Sequence, residues 1–215
     1  MPKVSPSKGA TYVALWVGID GYNDSTVEQT GILVESENGN VYYYAWYEFY
    51  PSSPFYAPSS DVVKPGDHIS AEVIYLGNDE YETTLKDVTE GWTYSSSVTP
   101  VSGAKDSDAE WIVERPSTAS GLTTLANFGT AYFGEGYTGI SGTNYAEING
   151  QHLAIGAETT GSNPIAITMV SSPHKVLATP SSLSDGGTSF TVSYGTSTST
   201  TSPGGHGHKR TLKNN

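Results

Sequence analysis

The 215-residue chain has a composition typical of a β-rich protein and a strongly acidic balance of charge. It contains 24 Gly and 15 Tyr, and its 22 Asp and Glu outnumber its 10 Lys and Arg, for a net charge of −12. This charge argues against nucleic acids and anionic membranes as partners, because phosphate binding requires clustered Lys and Arg. The absence of cysteine excludes disulfides, thiol catalysis and zinc–thiolate sites. No apolar run reaches the roughly 20 residues that a membrane-spanning helix needs.

Short strand-like segments separated by turn residues follow one another along the chain. We predict a flexible lead-in at 1–10, one β-sandwich domain at 11–195 and a disordered Ser/Thr/Gly-rich tail at 196–215. The predicted strands are 12–19, 27–35, 41–50, 68–76, 82–88, 92–97, one within 108–116, 126–133, 146–148, 165–170, 176–178 and 190–194. Regular short strands of this kind indicate an all-β fold, an antiparallel β-sandwich of two sheets of the jelly-roll or concanavalin-like type.

The third predicted strand places a row of aromatic side chains on one face. Side chains alternate along a strand, so one face has Tyr42, Tyr44, Trp46, Glu48 and Tyr50. Such a row is typical either of a half-hydrated sheet surface or of the floor of a binding groove. The hairpin that leads into this strand is marked by Asn38-Gly39, a strong signal for a two-residue turn.

The stretch from Asp108 to Pro116 places two carboxylates on one face of a strand. Glu110, Ile112 and Glu114 share that face, while Ala109, Trp111 and Val113 share the other face and are predicted to belong to the core. Ionised carboxylates are rarely buried without a partner or a function. Two interpretations follow, an edge strand with solvated glutamates or a strand that supplies a catalytic group.

No motif predicts a metal ion or a cofactor. His206 and His208 fall in the predicted tail, and Asp106-Ser107-Asp108 is not followed by the acidic loop that calcium binding requires. The remaining chemistry lies in the carboxylates Asp20, Glu48, Glu110 and Glu114 together with the amide of Gln29. Two carboxylates beside a Tyr/Trp groove can hydrolyse glycosides, whereas one carboxylate with a neutral donor can activate water against an amide.

Four motifs in order resemble one protein family. They are Trp16-Val17-Gly18-Ile19-Asp20-Gly21, Glu28-Gln29-Thr30-Gly31, Ala45-Trp46-Tyr47-Glu48-Phe49-Tyr50-Pro51 and Ala109-Glu110-Trp111-Ile112-Val113-Glu114. Together they resemble the glutamic peptidases (eqolisins), a family of pepstatin-insensitive acid peptidases, over about residues 12–195. The resemblance implies a β-sandwich of two antiparallel sheets, secretion, polypeptide substrates and no cofactor, and we expect a monomer.

The resemblance also implies roles for individual residues. The family's catalytic glutamine and glutamate match Gln29 and Glu114. The positions around the family's cleft match Trp16, Asp20, Trp46, Glu48 and Tyr50, which we predict to bind substrate. Glu110 is assigned a structural role, and the loops 51–59 and 116–121 are expected to flank the cleft.

The chain departs from the family pattern in two places. The family's early strands, which precede the Trp-Val-Gly-Ile-Asp-Gly segment, have no counterpart here, so a sheet edge is expected to be open. Phe49 replaces a family Trp and should alter packing only, since it lies on the face opposite Glu48. Two other functions stay open, a glycoside hydrolase using Glu48 and Glu114 and a non-catalytic sandwich that binds sugar or peptide.

Overall fold

Alternating side chains and tight turns form β-strands through much of the chain. The computed structural model describes residues 1–148, 150–157 and 164–195. Its strands pair antiparallel throughout the named sheets, so the predicted all-β antiparallel class is confirmed. Two compact units divide the chain, the first being Met1–Phe128 and the second beginning at Gly129. No helix in the described ranges is both long and apolar enough to cross a bilayer.

The first unit contains two main sheets. Its strands are β1 (Thr11–Ile19), β2 (Val27–Glu37), β3 (Asn40–Tyr50), β4 (Phe55–Tyr56), β5 (Ile69–Gly77), β6 (Glu80–Asp87), β7 (Trp92–Ser95), β8 (Thr99–Pro100), β9 (Ala109–Glu114), β10 (Ser117–Thr118) and β11 (Gly121–Leu122). One sheet has the order β4-β3-β2-β1-β9, and the other has the order β5-β6-β7 with β8 also paired to β6. The small hairpin β10–β11 follows β9 directly.

The two main sheets of the first unit pack face to face. Strands β1 and β2 contact β5 and β6, and apolar side chains of both sheets lie between them. Val13, Ile32 and Val34 on the five-stranded sheet are almost completely buried, as is Leu85 on the opposing sheet. Removing such side chains from water is the main force that stabilises a sandwich. This inner face therefore forms the core, and the opposite face of the five-stranded sheet is left for other uses.

The Asn38-Gly39 turn joins β2 and β3 as the sequence predicts. Both residues have positive φ angles, 52° and 80°. A two-residue turn with this geometry matches the right-handed twist of paired strands and fixes their register. The register then runs without interruption from Glu37↔Asn40 to Val27↔Tyr50.

The second unit is also built of antiparallel strands. They are β12 (Thr130–Phe133), β13 (Tyr145–Ile148), β14 (Gln151–Ala154), β15 (Met169–Ser171), β16 (Lys175–Pro180) and β17 (Phe190–Tyr194), with one short helix α1 (Glu135–Thr138) after β12. Strands β12, β17, β16 and β15 form one sheet in that order, and β13 pairs with β14. The division after Phe128 differs from the single domain expected over 11–195.

Residues 1–10, which the sequence predicts to be a flexible lead-in, are hydrogen-bonded to the rest of the first unit. Val4 is only 2% exposed, and the backbone N–H of Ser5 donates to the Asn127 carbonyl at 2.8 Å. Ser7 binds Ser36 through both its N–H and its hydroxyl. Because this segment is anchored by irregular backbone hydrogen bonds, it has no strand or helix period that could reveal its order. The tail at 196–215 lies outside the described residues.

Several predicted strands differ from those in the structure. Of the segment 126–133 only Thr130–Phe133 is a strand, because Gly129 adopts a left-handed conformation with a φ of 64°. Of 165–170 only the end is paired, in β15. Trp111 and its neighbours in β9 were expected to be core, yet all six residues of β9 are only partly buried, since β9 is an edge strand.

Candidate active site

One face of the five-stranded sheet gathers the candidate catalytic residues, and we call it the Gln29 face. Gln29 lies opposite Gly18 of β1 and Glu48 of β3, and Gly18 in turn lies opposite Glu110 of β9. Residues directly opposite each other share a face of a sheet. These four positions therefore form one row across four strands.

Glu114 lies on the same face, further along the sheet. It is opposite Ala14 of β1, which is opposite Leu33 of β2 and, through it, Tyr44 of β3. Because the side-chain period of a strand is two, Glu114 and Ala14 are in phase with Glu110 and Gly18. The structure thus brings Gln29 and Glu114 to one face, although they belong to strands separated in sequence by the entire second sheet.

Each member of the predicted pair has one side-chain hydrogen bond in the structure. The Gln29 Nε2 donates to Glu48 Oε2 at 2.7 Å, and the Trp16 Nε1 donates to Glu114 Oε2 at 3.0 Å. The first contact links two cross-strand neighbours. The second joins Glu114 to Trp16, which lies on β1 between the row of Glu114 and the row of Gln29. Gln29 is 8% exposed, so its amide is held in a largely dry environment.

Two tryptophans form the apolar floor beside these polar groups. Trp16, Trp46 and Ala14 are buried together. Gly31 lies between the two tryptophans in the register, and a Cβ added there would lie 2.6 Å from the Cβ of Trp16. A side chain at position 31 would therefore displace the indole that holds Glu114. This contact is a physical reason for glycine in the Gln-Thr-Gly motif.

Burial raises the pKa of both glutamates on this floor. For Glu114 burial is the main cause, and the hydrogen bond from Trp16 acts in the opposite direction. For Glu48 burial is again the main cause, the hydrogen bond from Gln29 lowers the pKa, and the negative charge of Glu114 raises it further. The effect of the Glu114 charge on Glu48 indicates that the two carboxylates are within electrostatic range.

Glu110 has the most strongly shifted pKa on this face. Burial, followed by the charges of Asp108, Asp24, Glu114 and Asp20, raises its pKa to about 7. A carboxyl with this pKa is neutral in acid and can donate a hydrogen bond. Its place in the Gln29 row makes it a neighbour of the site.

Asp20 does not fit the substrate-binding role predicted for it. Its side chain is completely buried, with Oδ2 accepting from the N–H groups of Lys105 and Asp106 and Oδ1 from the N–H and hydroxyl of Ser107. Burial alone would raise the pKa of Asp20, but these hydrogen bonds hold it below its usual value. In the structure Asp20 fixes the loop that leads into β9 rather than facing a cleft.

The remaining predicted residues lie around the same face. Tyr50 is 48% exposed and follows Glu48 on the Gln29 face. The loop 51–59 returns as β4, which pairs with β3 beside Trp46. The segment 116–121 forms most of the hairpin β10–β11, which begins three residues after Glu114.

A family model and several relatives match this chain. The model of the Peptidase A4 family matches residues 1–194. The chain belongs to the peptidase A4 family. Aspergillopepsin-2 of Aspergillus niger is 33% identical over 121 residues, which are 55% of this chain and 43% of that protein. The matched part of this chain thus spans less than half of that relative.

Solved structures support the same assignment. Aspergilloglutamic peptidase from Aspergillus niger superposes with a TM-score of 0.71 and 27% identity, over 86% of this chain and 99% of that chain. Scytalido-glutamic peptidase, solved with a peptide-based transition-state analogue, gives a TM-score of 0.67 at 21% identity, over 89% of this chain and 87% of that chain. The second likeness concerns the fold alone.

An acidic cluster accompanies the site in this A4-family chain. Carboxylate oxygens of Asp20, Asp24 and Asp108 lie within 4.8 Å of one another. The Ser107 hydroxyl lies 2.8 Å from Asp24 Oδ2 and 2.7 Å from Asp108 Oδ2. Since Asp20 already accepts three backbone N–H groups, its oxygens are occupied in fixing the loop 105–107.

A further buried carboxyl of this family member was not singled out by sequence reasoning. Glu28 is 0% exposed on the inner face, opposite Ile19 and Phe49, and neither of its oxygens has a hydrogen-bond partner among the described residues. Burial, then the charge of Asp20, raises its pKa to about 8. The signal was present in the sequence, because Glu28 must face away from Gln29 on the same strand.

Proposed function

We propose that the protein is an acid endopeptidase in which Glu114 activates a water molecule and Gln29 stabilises the oxyanion. The observation that supports this most is the common face of Gln29, Glu48 and Glu114 in a chain of the peptidase A4 family. Of these three groups only two can titrate, and the amide is a neutral donor at every pH. That combination suits amide hydrolysis, in which one group must take a proton and another must bind developing negative charge.

Glu114 acts as the general base and then as the general acid. Its ionised carboxylate takes a proton from the water that attacks the scissile carbonyl, and the protonated carboxyl delivers that proton to the leaving amine. Burial raises the pKa of Glu114, which strengthens it as a base. The hydrogen bond from the Trp16 N–H stabilises the ionised carboxylate and so acts in the opposite direction. Trp16 is a positioning residue, since it binds Glu114 Oε2 and leaves the second oxygen for the water.

Gln29 donates to the oxyanion. Its amide nitrogen has two N–H groups, and Glu48 accepts one of them. An ionised carboxylate can only accept, so Glu48 fixes which end of the amide is the donor. The second N–H remains for the oxygen of the tetrahedral intermediate, and the loss of a donor of this type costs on the order of 10²–10³ in rate.

The surrounding groups bind the polypeptide on either side of the scissile bond. Trp46 supplies the buried floor, while Tyr50, the loop 51–59 and the hairpin at 116–121 offer exposed contacts at its margins. Export and a monomeric state belong to the same proposal. A low proportion of charged residues suits acid surroundings, because protonated carboxylates then leave only modest positive charge.

Hydrolysis of a denatured protein and of xylan, each measured from pH 2 to 6, tests the reaction class. We expect peptide hydrolysis that pepstatin does not inhibit and no release of sugar. Glu114→Gln should abolish peptide hydrolysis while the far-ultraviolet circular dichroism spectrum stays unchanged. Sugar release that depends on Glu48 and Glu114 would replace the peptidase with the glycosidase alternative.

Two variants of Gln29 test the oxyanion role. Gln29→Glu places a second carboxyl beside Glu48, on the sheet face that also holds Glu114. The new carboxyl can donate only when it is protonated, so the residual kcat should rise as the pH falls. Gln29→Ala lacks the donor at every pH and should show no such recovery. Near-full activity of Gln29→Ala would contradict the proposed role.

A further inference from the structure

Three exposed tyrosines continue the Gln29 face beyond the catalytic residues. Tyr42 and Tyr44 precede Trp46 on the same face of β3, and Tyr56 of β4 lies opposite Trp46. Trp46 is only 7% exposed, whereas Tyr42, Tyr44 and Tyr56 are 47%, 39% and 51% exposed. We call these three residues the aromatic strip.

The rings of the aromatic strip contact one another. Tyr42 and Tyr44 are stacked with ring centroids 6.4 Å apart, and Tyr44 meets Tyr56 edge-on at 6.2 Å. Such a set is already ordered before a ligand arrives, so little conformational freedom remains to be lost on binding. The far end is polar, where the Tyr12 hydroxyl donates to Glu35 at 2.9 Å.

The distance from the strip to the catalytic residues corresponds to a short stretch of extended peptide. Tyr44 and Glu48 are separated by four strand residues, which is about 13 Å at roughly 3.3 Å per residue. Tyr44 lies in the row of Glu114, three strand spacings away, which is about 14 Å at roughly 4.8 Å per strand. An extended substrate covers either distance with about four residues.

We propose that the aromatic strip binds an aromatic side chain of the substrate about four residues from the scissile bond. The inference rests on the proposed function, because continuity with that site identifies the occupant as the same polypeptide. Tyrosine faces offer stacking surfaces to a Phe, Tyr or Trp, and each aromatic contact contributes beyond the area it buries. The strip would make the enzyme selective for long substrates with an aromatic residue at this distance.

Pairs of peptides that differ at one position test the strip. Within each pair the cleavage region is identical and the fourth residue from the scissile bond is Phe or Ser, with one pair for each side of the bond. For one pair we expect the wild type to show a kcat/KM about three- to tenfold higher for the Phe peptide, the range that one aromatic contact can provide. Tyr44→Ala should reduce this ratio to about one, and Tyr42→Ala should reduce it in part.

Tyr132→Ala is the matched control, since Tyr132 is a 57% exposed tyrosine of β12 in the second unit. It should keep the wild-type ratio. Equal kcat/KM for Phe and Ser in both pairs would overturn the proposal. The proposal would also be overturned if Tyr44→Ala lowered kcat/KM by the same factor for both peptides of a pair, because a structural defect does not distinguish substrates.

Binding to the Glu114→Gln variant separates the strip from catalysis. Fluorescence anisotropy should give tighter binding of the Phe peptide than of the Ser peptide, and Tyr44→Ala added to Glu114→Gln should remove the difference. If the wild type hydrolyses no peptide, the proposed function fails, yet this binding difference still supports the strip and its absence overturns it. Competition by a xylo-oligosaccharide without any Phe/Ser difference would also overturn it, in favour of a sugar ligand.

Discussion

Asp20 and Glu28 are both completely buried at the same end of the five-stranded sheet, yet their environments are opposite. Asp20 accepts three backbone N–H groups and one hydroxyl, and its pKa is held below its usual value despite burial. Glu28 has no hydrogen-bond partner among the described residues, and burial with the charge of Asp20 raises its pKa to about 8. Glu114, with one donor, lies between these extremes. Partners rather than depth decide whether a buried carboxyl is charged.

The inner-face neighbours of Glu28 explain why a negative charge on this carboxyl would not be compensated. It lies near Asp20 and Asp106, both acidic, and near Tyr81, whose hydroxyl already donates to Asp106 at 2.6 Å. The groups that lower its pKa are its own backbone N–H and, to a smaller extent, the buried Thr26 hydroxyl. No cation of the described ranges is among the main groups that affect its pKa.

Replacing Asp20 should have the largest effect on stability. Asp20→Ala leaves the N–H groups of Lys105, Asp106 and Ser107 without their acceptor, at about 1–3 kcal/mol for each that stays dry. For a total stability of about 5–15 kcal/mol, we expect the melting temperature to fall by roughly 10 °C or more. Asp20→Asn keeps one acceptor oxygen and should lose less. Melting of Asp20→Ala at the wild-type temperature would contradict this account.

Stability should fall as the pH rises, because of Glu28. The folded protein keeps the Glu28 proton up to about pH 8, whereas the unfolded chain releases it near 4.5, the ordinary pKa of a glutamate. Between these pH values the folded state binds more protons, so the unfolding free energy decreases by up to about 1.4 kcal/mol per pH unit. Asp20 acts in the opposite sense, since its contribution is lost as the pH falls through its lowered pKa.

Glu28→Leu should remove the alkaline part of this dependence. The variant should melt at a similar or slightly higher temperature than the wild type at pH 3.5 and well above it at pH 7.5. Glu28→Gln, which is neutral but still polar, should show the same pH independence with a smaller gain. An unchanged fall in melting temperature between pH 4.5 and 8 in both variants would assign the effect to another group.

Removing the single donor of Glu114 should move its pKa toward that of an unpartnered carboxyl. Trp16→Phe deletes the N–H that lowers the pKa of Glu114, so this pKa should rise and the acid limb of the pH profile of kcat should shift to higher pH. Trp46→Phe is the matched control, because Trp46 is buried in the same cluster and its N–H has no partner among the described residues. An equal shift in both variants would indicate a packing effect.

The smallest effect is expected for Glu110. With its pKa near 7, the carboxyl is already neutral at pH 4, so Glu110→Gln exchanges one neutral group for another of similar shape. We expect kcat/KM at pH 4 within about threefold of the wild type, because the change removes no charge there. Loss as large as in Glu114→Gln would make Glu110 a member of the catalytic pair.

The local order of the sequence predicted a large part of the first unit. Side chains point alternately to the two faces of a strand, so predicting a strand from Val41 to Tyr50 was enough to determine which of its side chains share the Gln29 face. The Asn38-Gly39 turn determined the β2–β3 register, and through it the contact between Gln29 and Glu48. Short pairs such as β4 and β10–β11 escaped prediction, since two residues are too few to show a period.

By itself, then, the sequence determined the strands, their faces and the family motifs, because these depend on residues that are neighbours in the chain. Tertiary structure alone decided which strands meet. It placed β9 beside β1, so that Trp16 reaches Glu114 across 98 residues of sequence. It also brought the loop 105–107 to Asp20 but, among the residues that the structure describes, no hydrogen-bond donor to Glu28. A hydrogen-bond partner supplied by a distant segment leaves no trace in the local pattern, so the charge of a buried carboxyl is settled only when the chain has folded.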